Sequence, residues 1–382
     1  MQQAVISVAA LTDIGRKRRT NQDSWLAERG VYMVCDGMGG ESGGERASAI
    51  AVEELAHLAQ DAHRTRLSID DAFERAQSRT RALGLTLGGI AGTTVTGIVL
   101  PQWFASAGIH GGEQTHAPHH PQHSAQYHAT AAFDTIEDLR PLPPFGQDWD
   151  ATQPGADNAN EAADHAKEAA DAARFGEHRA DIAPDAWSIA IRQLLPDTGP
   201  RKCYVVNIGD SRTYHMSPGF DGRWDAASLT QITRDHSRRQ EAIDSGEMTP
   251  EEAERVIARN VITQCVGAPM GIDPDIFMAD ASGRFIICSD GCHSEIGDAT
   301  MATIAARHDT ADAAARALID ASLNAGGDDN VTVIVVDMPA HAAHAEEWTY
   351  GRLGDDEEPV DIGDATVETR GDTIVDHHNS IR

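Results

Sequence analysis

Five aspartates stand where the chain changes character. Asp36-Gly37 follows the apolar run VYMVC, Gly209-Asp210 follows CYVVNI, Asp290-Gly291 follows FIICS, Asp328-Asp329-Asn330 precedes VTVIVV, and Asp23 lies in RTNQDSW. Any one of them alone is an ordinary turn former whose carboxylate folds back on its own backbone. Five together point elsewhere. Strands that pair bring their ends to common edges, and carboxylates gathered on one rim repel each other and lose hydration unless cations hold them. Hard divalent ions such as Mn2+ or Mg2+ take oxygen ligands and keep several waters, and Gly37 leaves its carbonyl open to such an ion. The pattern suggests a carboxylate-lined pair of ions about 3.5–4 Å apart, whose characteristic chemistry is displacement at phosphorus by a metal-bridging water. A cation for the phosphoryl oxygens would come from the basic patch Arg16-Lys17-Arg18-Arg19. Arg18 is best placed, because a guanidinium grips two oxygens at once. Ser211 follows an acid but has no ordered His/Asp partner, so a serine nucleophile is rejected. His236 and His293 are read as neighbours of the cleft rather than ligands.

Regular elements must carry these acids to one place. Val31–Cys35 reads as a strand ending at Asp36, and Gly92–Leu100, rich in β-branched residues, as another. The segments 45–63 and 68–83 read as amphipathic helices. KCYVVNIGDSRTYHM, two apolar runs around Gly-Asp-Ser-Arg, reads as a hairpin. Helical signals run through 236–260, GRFIICSDG is a strand, two Ala-rich helices lie between Asp298 and Asn324, and NVTVIVVDM is a final strand. Trp25 is expected to pack in the core.

The chain has 382 residues, 41% of them hydrophobic, and a formal net charge of −29. Such an excess repels phosphate backbones and anionic lipid, so neither nucleic acid nor a membrane is an expected partner. The segment 101–200 carries 15 acids against 5 Lys and Arg, and 339–382 carries 11 acids against 3 arginines, so more than half of the net charge lies outside the catalytic body. We read 101–200 as a largely disordered insertion. Six of its histidines (His110, His116, His119, His120, His123, His128) form a solvated tract rather than a metal cage. Residues 339–382 read as an acidic disordered tail, in which Thr366, Thr369 and Thr373 are candidate phosphorylation sites. The five cysteines, Cys35, Cys203, Cys265, Cys288 and Cys292, are odd in number and lie in or beside apolar runs, as expected of reduced thiols in a cytoplasmic protein. The first residues place charge after the apolar run, the reverse of a secretory signal, and no apolar stretch approaches the roughly 18–20 residues of a membrane span. DGMGGESGG fits neither G-x-G-x-x-G nor a P-loop.

Taken in order, RRTNQD (18–23), DGMGG (36–40), GTT (92–94), GDSR (209–212), RDHS (234–237) with SGEMTPEEA (245–253), SDG (289–291) and DDNVT (328–332) resemble the motifs of the metal-dependent (PPM, type-2C) serine/threonine protein phosphatases, bacterial branch. Each motif is weak alone; the ordered set is specific, and it covers 1–100 and 201–338. The resemblance implies an α+β fold, a four-layer α/β/β/α sandwich of two antiparallel sheets flanked by helices, as a domain over 1–338 interrupted by 101–200. It implies a hydrolase that dephosphorylates phosphoserine and phosphothreonine in proteins with two Mn2+ or Mg2+ ions and a loosely held third. Asp36 would bridge the pair, with the Gly37 carbonyl on one ion. Asp290 and Asp329 would bind the second, and Asp23 would hold the site directly or through water. Asp210 with Asp290 would take the third ion. Arg18 would grip substrate phosphate, and 237–259 would form a flap beside the cleft. Asp36, Asp290 and Arg18 are thus the expected catalytic groups. The expected partners are phosphorylated proteins and a cognate Ser/Thr kinase, and the chain is expected to be a monomer. Two departures stand out: Gln22 replaces the family's usual Glu, and Met38 stands where some members have His. The rival reading is a pseudophosphatase that binds phosphoproteins without turnover. A nuclease is opposed by the charge and by the motif order.

Overall fold

Strands such as VTVIVV have no polar face, so they need cover on both sides. In the computed structural model, which describes residues 5–102, 187–194, 202–339 and 348–354, they find it in two stacked sheets. The strands are β1 (Val5–Asp13), β2 (Asp23–Glu28), β3 (Val31–Met38), β4 (Gly92–Thr93), β5 (Val95–Val99), β6 (Trp187–Leu194), β7 (Lys202–Ile208), β8 (Arg212–Met216), β9 (Thr230–Gln231), β10 (Asp275–Asp280), β11 (Gly283–Cys288), β12 (Val331–Met338) and β13 (Tyr350–Arg352). One sheet has the order β6-β1-β12-β11-β8-β9. The other has β13-β10-β7-β5-β3-β2, with β4 beside β3. Every pairing is antiparallel. The helices are α1 (Gly40–Gln60), α2 (Arg66–Leu87), α3 (Arg238–Asp244), α4 (Pro250–Val256), α5 (Asp290–Arg307) and α6 (Ala311–Ala325).

The period-2 alternation of strands sorts the side chains into three cores. Tyr32 and Val34 of β3 meet Phe285, Ile287, Ile334 and Val336 between the sheets. Met33 and Cys35 of β3 turn the other way, against Leu55, Leu58, Ile69 and Phe73 of α1 and α2. Val333 and Val335 turn outward against Met301, Ala314 and Leu318 of α5 and α6. The expected four-layer α/β/β/α sandwich is therefore the observed one. Each fully buried Val, Ile, Leu or Phe contributes about 1.5–3 kcal/mol of transfer free energy. Trp25 packs at the edge of the inter-sheet core.

Several local expectations change. The hairpin at 202–216 does not form: β7 lies in one sheet and β8 in the other, so the Gly209–Ser211 turn crosses the sandwich. Both runs are buried on both faces, so sequence alone did not separate pairing from crossing. Gly209 makes the turn at φ 103°, and a Cβ there would lie 2.6 Å from the Thr94 side chain. β3 runs on through Asp36 to Met38, so Asp36 is inside a strand rather than after it. The first Ala-rich helix begins at Asp290 and breaks at Gly297. Residues 187–194, read as part of the insertion, form β6 and pair with β1 along eight residues. Residues 348–354, read as disordered tail, are ordered: β13 pairs with β10, and Trp348 stacks on His215 at 3.6 Å. The patch WTYGRL within that acidic stretch supplies the apolar and aromatic surface for it. The six insertion histidines and Thr366, Thr369 and Thr373 lie outside the described residues.

Candidate metal centre

Asp23 and Asp36 are directly opposed partners in the antiparallel pair β2–β3. Two carboxylates at such a position destabilise a sheet, so the surroundings must justify them. Asp23 is buried, and its Oδ2 accepts hydrogen bonds from Ser289 Oγ at 2.8 Å and Thr332 Oγ1 at 2.7 Å. Thr332 lies in β12 of the other sheet and Ser289 directly follows its neighbour β11, and the Thr332 amide donates to Ser289 Oγ at 3.0 Å. Asp23 thereby ties the sheets together at one end of the sandwich. Its second oxygen, Oδ1, is buried with no partner.

Asp36 is held by its backbone. Its amide donates to Thr94 Oγ1 at 3.0 Å, and its carbonyl accepts from the Thr94 amide at 2.8 Å and Thr93 Oγ1 at 2.9 Å. Thr94 Oγ1 also bonds Ser211 Oγ at 2.7 Å, so the threonines of GTT fix the Asp36 strand and the Asp210 turn together. The Gly37 amide donates to the Gln22 carbonyl at 3.2 Å. A Cβ on Gly37 would lie 2.2 Å from the Gly44 carbonyl oxygen, so the first turn of α1 closes on this peptide only because both residues are glycine.

Asp290 opens α5 after β11, and the Asp36 carboxyl lies within hydrogen-bonding reach of it. Its Oδ1 is also buried and unpaired. Asp329 precedes β12; its Oδ1 accepts from the Asn330 amide at 2.8 Å and its Oδ2 from Arg18 at 2.5 Å. Asn330 is a clamp: its Oδ1 accepts from the Gln22 amide at 2.8 Å, and its Nδ2 donates to Ile14 O at 2.9 Å and Thr20 O at 3.0 Å. The loop that carries Arg18 is thus pinned beside Asp329. The Asp210 carbonyl lies 3.0 Å from His293 Nε2.

The five acids feel one another. Burial, then the charges of Asp23, Asp290, Asp210 and Asp329, drives the Asp36 carboxyl well above the usual range. Burial raises Asp23 to about 7, with Asp290 and Asp329 adding to it against the two hydroxyl bonds. Burial raises Asp210 to about 8, helped by Asp290 and Asp235. Asp290 is raised by burial and by Asp329, while Arg259 and Arg18 oppose. Arg18 is held firmly charged, chiefly by Asp329, with Asp36 and Asp290 contributing. Asp23, Asp36, Asp210, Asp290, Asp329 and Arg18, separated by up to about three hundred positions, therefore lie near one another at one end of the sandwich, with Gly37 beside Asp36.

The donor set fits hard divalent cations. It is all oxygen, it holds two buried carboxylate oxygens with no partner, and it contains more acid than the neighbouring arginines neutralise. Among the described residues, no group of three or more His, Cys, Asp or Glu side chains is arranged to hold a metal ion by itself. A water-rich octahedral ion needs only one or two carboxylates from the protein, so the open arrangement suits Mn2+ or Mg2+ rather than zinc.

Sequence reasoning missed Thr93, Thr94, Ser289, Thr332 and Asn330 as individual residues, and considered Ser211 only as a nucleophile. Their signal was present, since a hydroxyl or amide lies within three positions of an acid in SDG, DDNVT and GDSR and inside the GTT motif. Arg259 was read only as the end of a flap, and its charge reaches Asp290 and His293.

No family model matches the chain. The serine/threonine protein phosphatase PstP of Mycobacterium tuberculosis is 37% identical over 136 residues, 35% of this chain and 24% of that protein. The serine/threonine phosphatase Stp of Listeria innocua is 28% identical over 135 residues, 50% of its length. The protein phosphatase PhpP of Streptococcus pneumoniae is 32% identical over 135 residues, 52% of its length. The chain thus spans about a quarter to about half of the length of these curated relatives. Among solved structures, the M. tuberculosis phosphatase PstP/Ppp superposes with a TM-score of 0.56 at 24% identity, covering 88% of this chain and all of that one. The PstP catalytic domain in complex with two manganese ions gives 0.54 at 24%, covering 88% of this chain and all of that one. The PPM phosphatase MsPP of Mycobacterium smegmatis gives 0.51 at 23%, covering 87% of this chain and 97% of that one. The curated relatives are bacterial Ser/Thr phosphatases, and the fold is that of the PPM phosphatases.

Proposed function

We propose that this chain is a metal-dependent protein phosphatase that hydrolyses phosphoserine and phosphothreonine in proteins. The observation that carries the reading is the convergence of the carboxylates Asp23, Asp36, Asp290 and Asp329 beside Arg18 at one end of the sandwich, with two buried carboxylate oxygens left unpaired. Asp36, the Gly37 carbonyl, Asp290 and Asp329 would hold a pair of Mn2+ or Mg2+ ions, Asp23 would support them, and Asp210 with Asp290 would take a third. When bound, such a pair supplies an acidified water and neutralises charge growing on the phosphoryl oxygens.

The chain's own residues do the rest. Arg18, half-exposed and anchored on Asp329, presents a guanidinium to two phosphate oxygens at the pocket mouth. Asn330 and the Gln22 carbonyl keep the Arg18 loop and the Gly37 peptide in register. The Ser289 and Thr332 hydroxyls occupy one Asp23 oxygen and leave the other directed to a cation. The relatives support phosphoproteins as substrates and a Ser/Thr kinase as the opposing enzyme. In this reading the phosphatase body comprises β1–β5 with α1 and α2, and β7–β12 with α3–α6, interrupted between β5 and β7, and acts as a monomer. Free thiols at Cys35, Cys203, Cys265, Cys288 and Cys292 support a cytoplasmic setting. Among the described residues no helix is long and apolar enough to cross a membrane.

The test is hydrolysis of an aryl phosphate and of phosphopeptides by the full chain with Mn2+, against Asp36→Asn. Mn2+-dependent turnover lost in the variant supports the reading. Saturable phosphopeptide binding without turnover in the parent chain would leave the pseudophosphatase reading, which the neutral Gln22 favours.

A further inference from the structure

The Asp210 turn is held from behind by a relay that starts outside the motif-bearing body. β13 adds to β10 with Arg352 opposite Phe277, Gly351 opposite Met278 and Tyr350 opposite Ala279. The Leu353 amide extends the ladder to Ile276 O at 2.8 Å. The segment is fastened at its other end. Trp348 stacks on His215 at 3.6 Å and donates from Nε1 to Asp280 O at 2.9 Å, while the Thr349 amide and hydroxyl both reach Asp280 Oδ2 at 2.7 Å.

Arg352 then reaches inward. Its Nη2 lies 2.5 Å from Asp275 Oδ1, a carboxylate only 9% exposed at the start of β10. Asp275 Oδ2 lies 3.3 Å from His236 Nε2. On the far side of the ring, the Gly209 amide donates to His236 Nδ1 at 3.3 Å. A backbone amide can only donate, so Nδ1 carries the lone pair, Nε2 carries the hydrogen, and that hydrogen points at Asp275. The His236 amide returns to Gly209 O at 2.8 Å, and Asn207, opposite Asp275 in the β7–β10 register, donates to Gly209 O at 3.2 Å and Arg234 O at 2.9 Å. Three elements thus converge on the peptide preceding Asp210, and the outermost link is Arg352.

We infer that β13 is a positioning strap: Arg352, acting through Asp275 and His236, fixes the Gly209–Asp210 turn and so the direction of the Asp210 carboxylate. The inference rests on the reading of Asp210 as an acid of the catalytic centre. Arg352, Asp275 and His236 are positioning residues, not catalytic ones. Arg352 is 61% exposed, so the solvent-screened attraction of its pair with Asp275 is small. Its work is orientation: without the guanidinium, Asp275 is free to turn away from the His236 Nε2 hydrogen.

The experiment is amide hydrogen exchange on the full chain, resolved for 203–212 and for 348–353, in the parent, Arg352→Ala, Arg352→Lys and Asp275→Asn. Arg352→Ala and Asp275→Asn should speed exchange at Gly209 by about tenfold, the loss of one charge-supported bond. Arg352→Lys should restore most of the protection. In the same variants the Mn2+ concentration for half-maximal aryl phosphate hydrolysis should rise several-fold with kcat little changed. Should the buried Asp275→Asn change unfold the chain, Arg352→Ala, at an exposed side chain, still decides. Faster exchange confined to 348–353, with Gly209 as in the parent, would overturn the strap and leave β13 a plain edge strand. If Gly209 responds but the parent shows no Mn2+-dependent turnover, the relay stands and the catalytic role of Asp210 falls.

Discussion

Metal-free protein should lose stability as pH rises through neutrality, and Mn2+ should remove that loss. Asp23 and Asp210 have folded-state pKa values raised to about 7 and about 8 from a reference of 3.8. A group raised on folding binds more protons in the native than in the unfolded chain between those limits, so stability falls as pH climbs toward the folded value. The window 6.5–8.0 brackets the effect. The buried histidines His215 and His293 are depressed on folding from a reference of 6.5, so the unfolded chain still sheds their protons at the low end of the window and they offset part of the loss there. Burial raises the thiols of Cys35, Cys203, Cys265 and Cys288 further above the window. Across it the two acids together contribute a loss on the order of 2 kcal/mol before Asp36 is counted. For a folded body of this size that is a fall of roughly 4–8 °C in Tm. The assay is differential scanning fluorimetry in EDTA at 6.5, 7.25 and 8.0, repeated with excess Mn2+. Ions bind the deprotonated acids, so at about 100 times Kd they should add about 2.7 kcal/mol and flatten or reverse the slope. A metal-free Tm that stays level or rises from 6.5 to 8.0 would refute the claim that these acids crowd one another in the dry end of the sandwich.

Other changes separate binding, chemistry and scaffold. Asp36→Asn removes one of five crowded charges, so it should abolish Mn2+-dependent turnover yet raise the metal-free Tm at pH 8, both read on one preparation. Arg18→Ala should lower kcat/KM for phosphopeptides by about 10²-fold through loss of a bidentate grip. Its Tm should move by no more than about 2 °C, because the pair with Asp329 is half-exposed. Thr94→Val cuts the bonds to the Asp36 amide and to Ser211 together. It should cost about 1–3 kcal/mol in urea unfolding, and Thr94→Ser should recover part of it.

The layers of the sandwich were legible because period and burial agree. VYMVC and VTVIVV are apolar on both faces, and only strands covered twice read that way. The acids were legible as a set, since each breaks an apolar run, and their order matched a known arrangement. What escaped was partner choice. KCYVVNI and RTYHM are both double-faced strands, and either sheet would accept either of them. The decision to cross the sandwich at Gly209 is made by Thr94 and Ser211, whose 2.7 Å contact spans 117 positions. β6 and β13 escaped for a different reason. Each is a short run inside a stretch whose overall composition is acidic or Pro-, Ala- and His-rich, and composition averaged over such a length hides a strand of three or eight residues. Edge strands tolerate this because only one neighbour must be satisfied.

The same crossing explains why the pocket lies where it does. Asp36 sits in β3 and Asp290 follows β11, strands of opposite sheets whose side chains share the inter-sheet core. A carboxylate placed there breaks an apolar contact on both sheets at once. The interior tolerates it only at the end of the sandwich, where α1, α5 and the Asn330-clamped loop supply hydroxyls, amides and Arg18 in place of packing. Raised carboxyl pKa values and unpaired oxygens are therefore not defects of the fold but the local instability that a cation relieves. A substitution that relaxes this end, such as Asp36→Asn, should make the chain harder to unfold and unable to hold its ions.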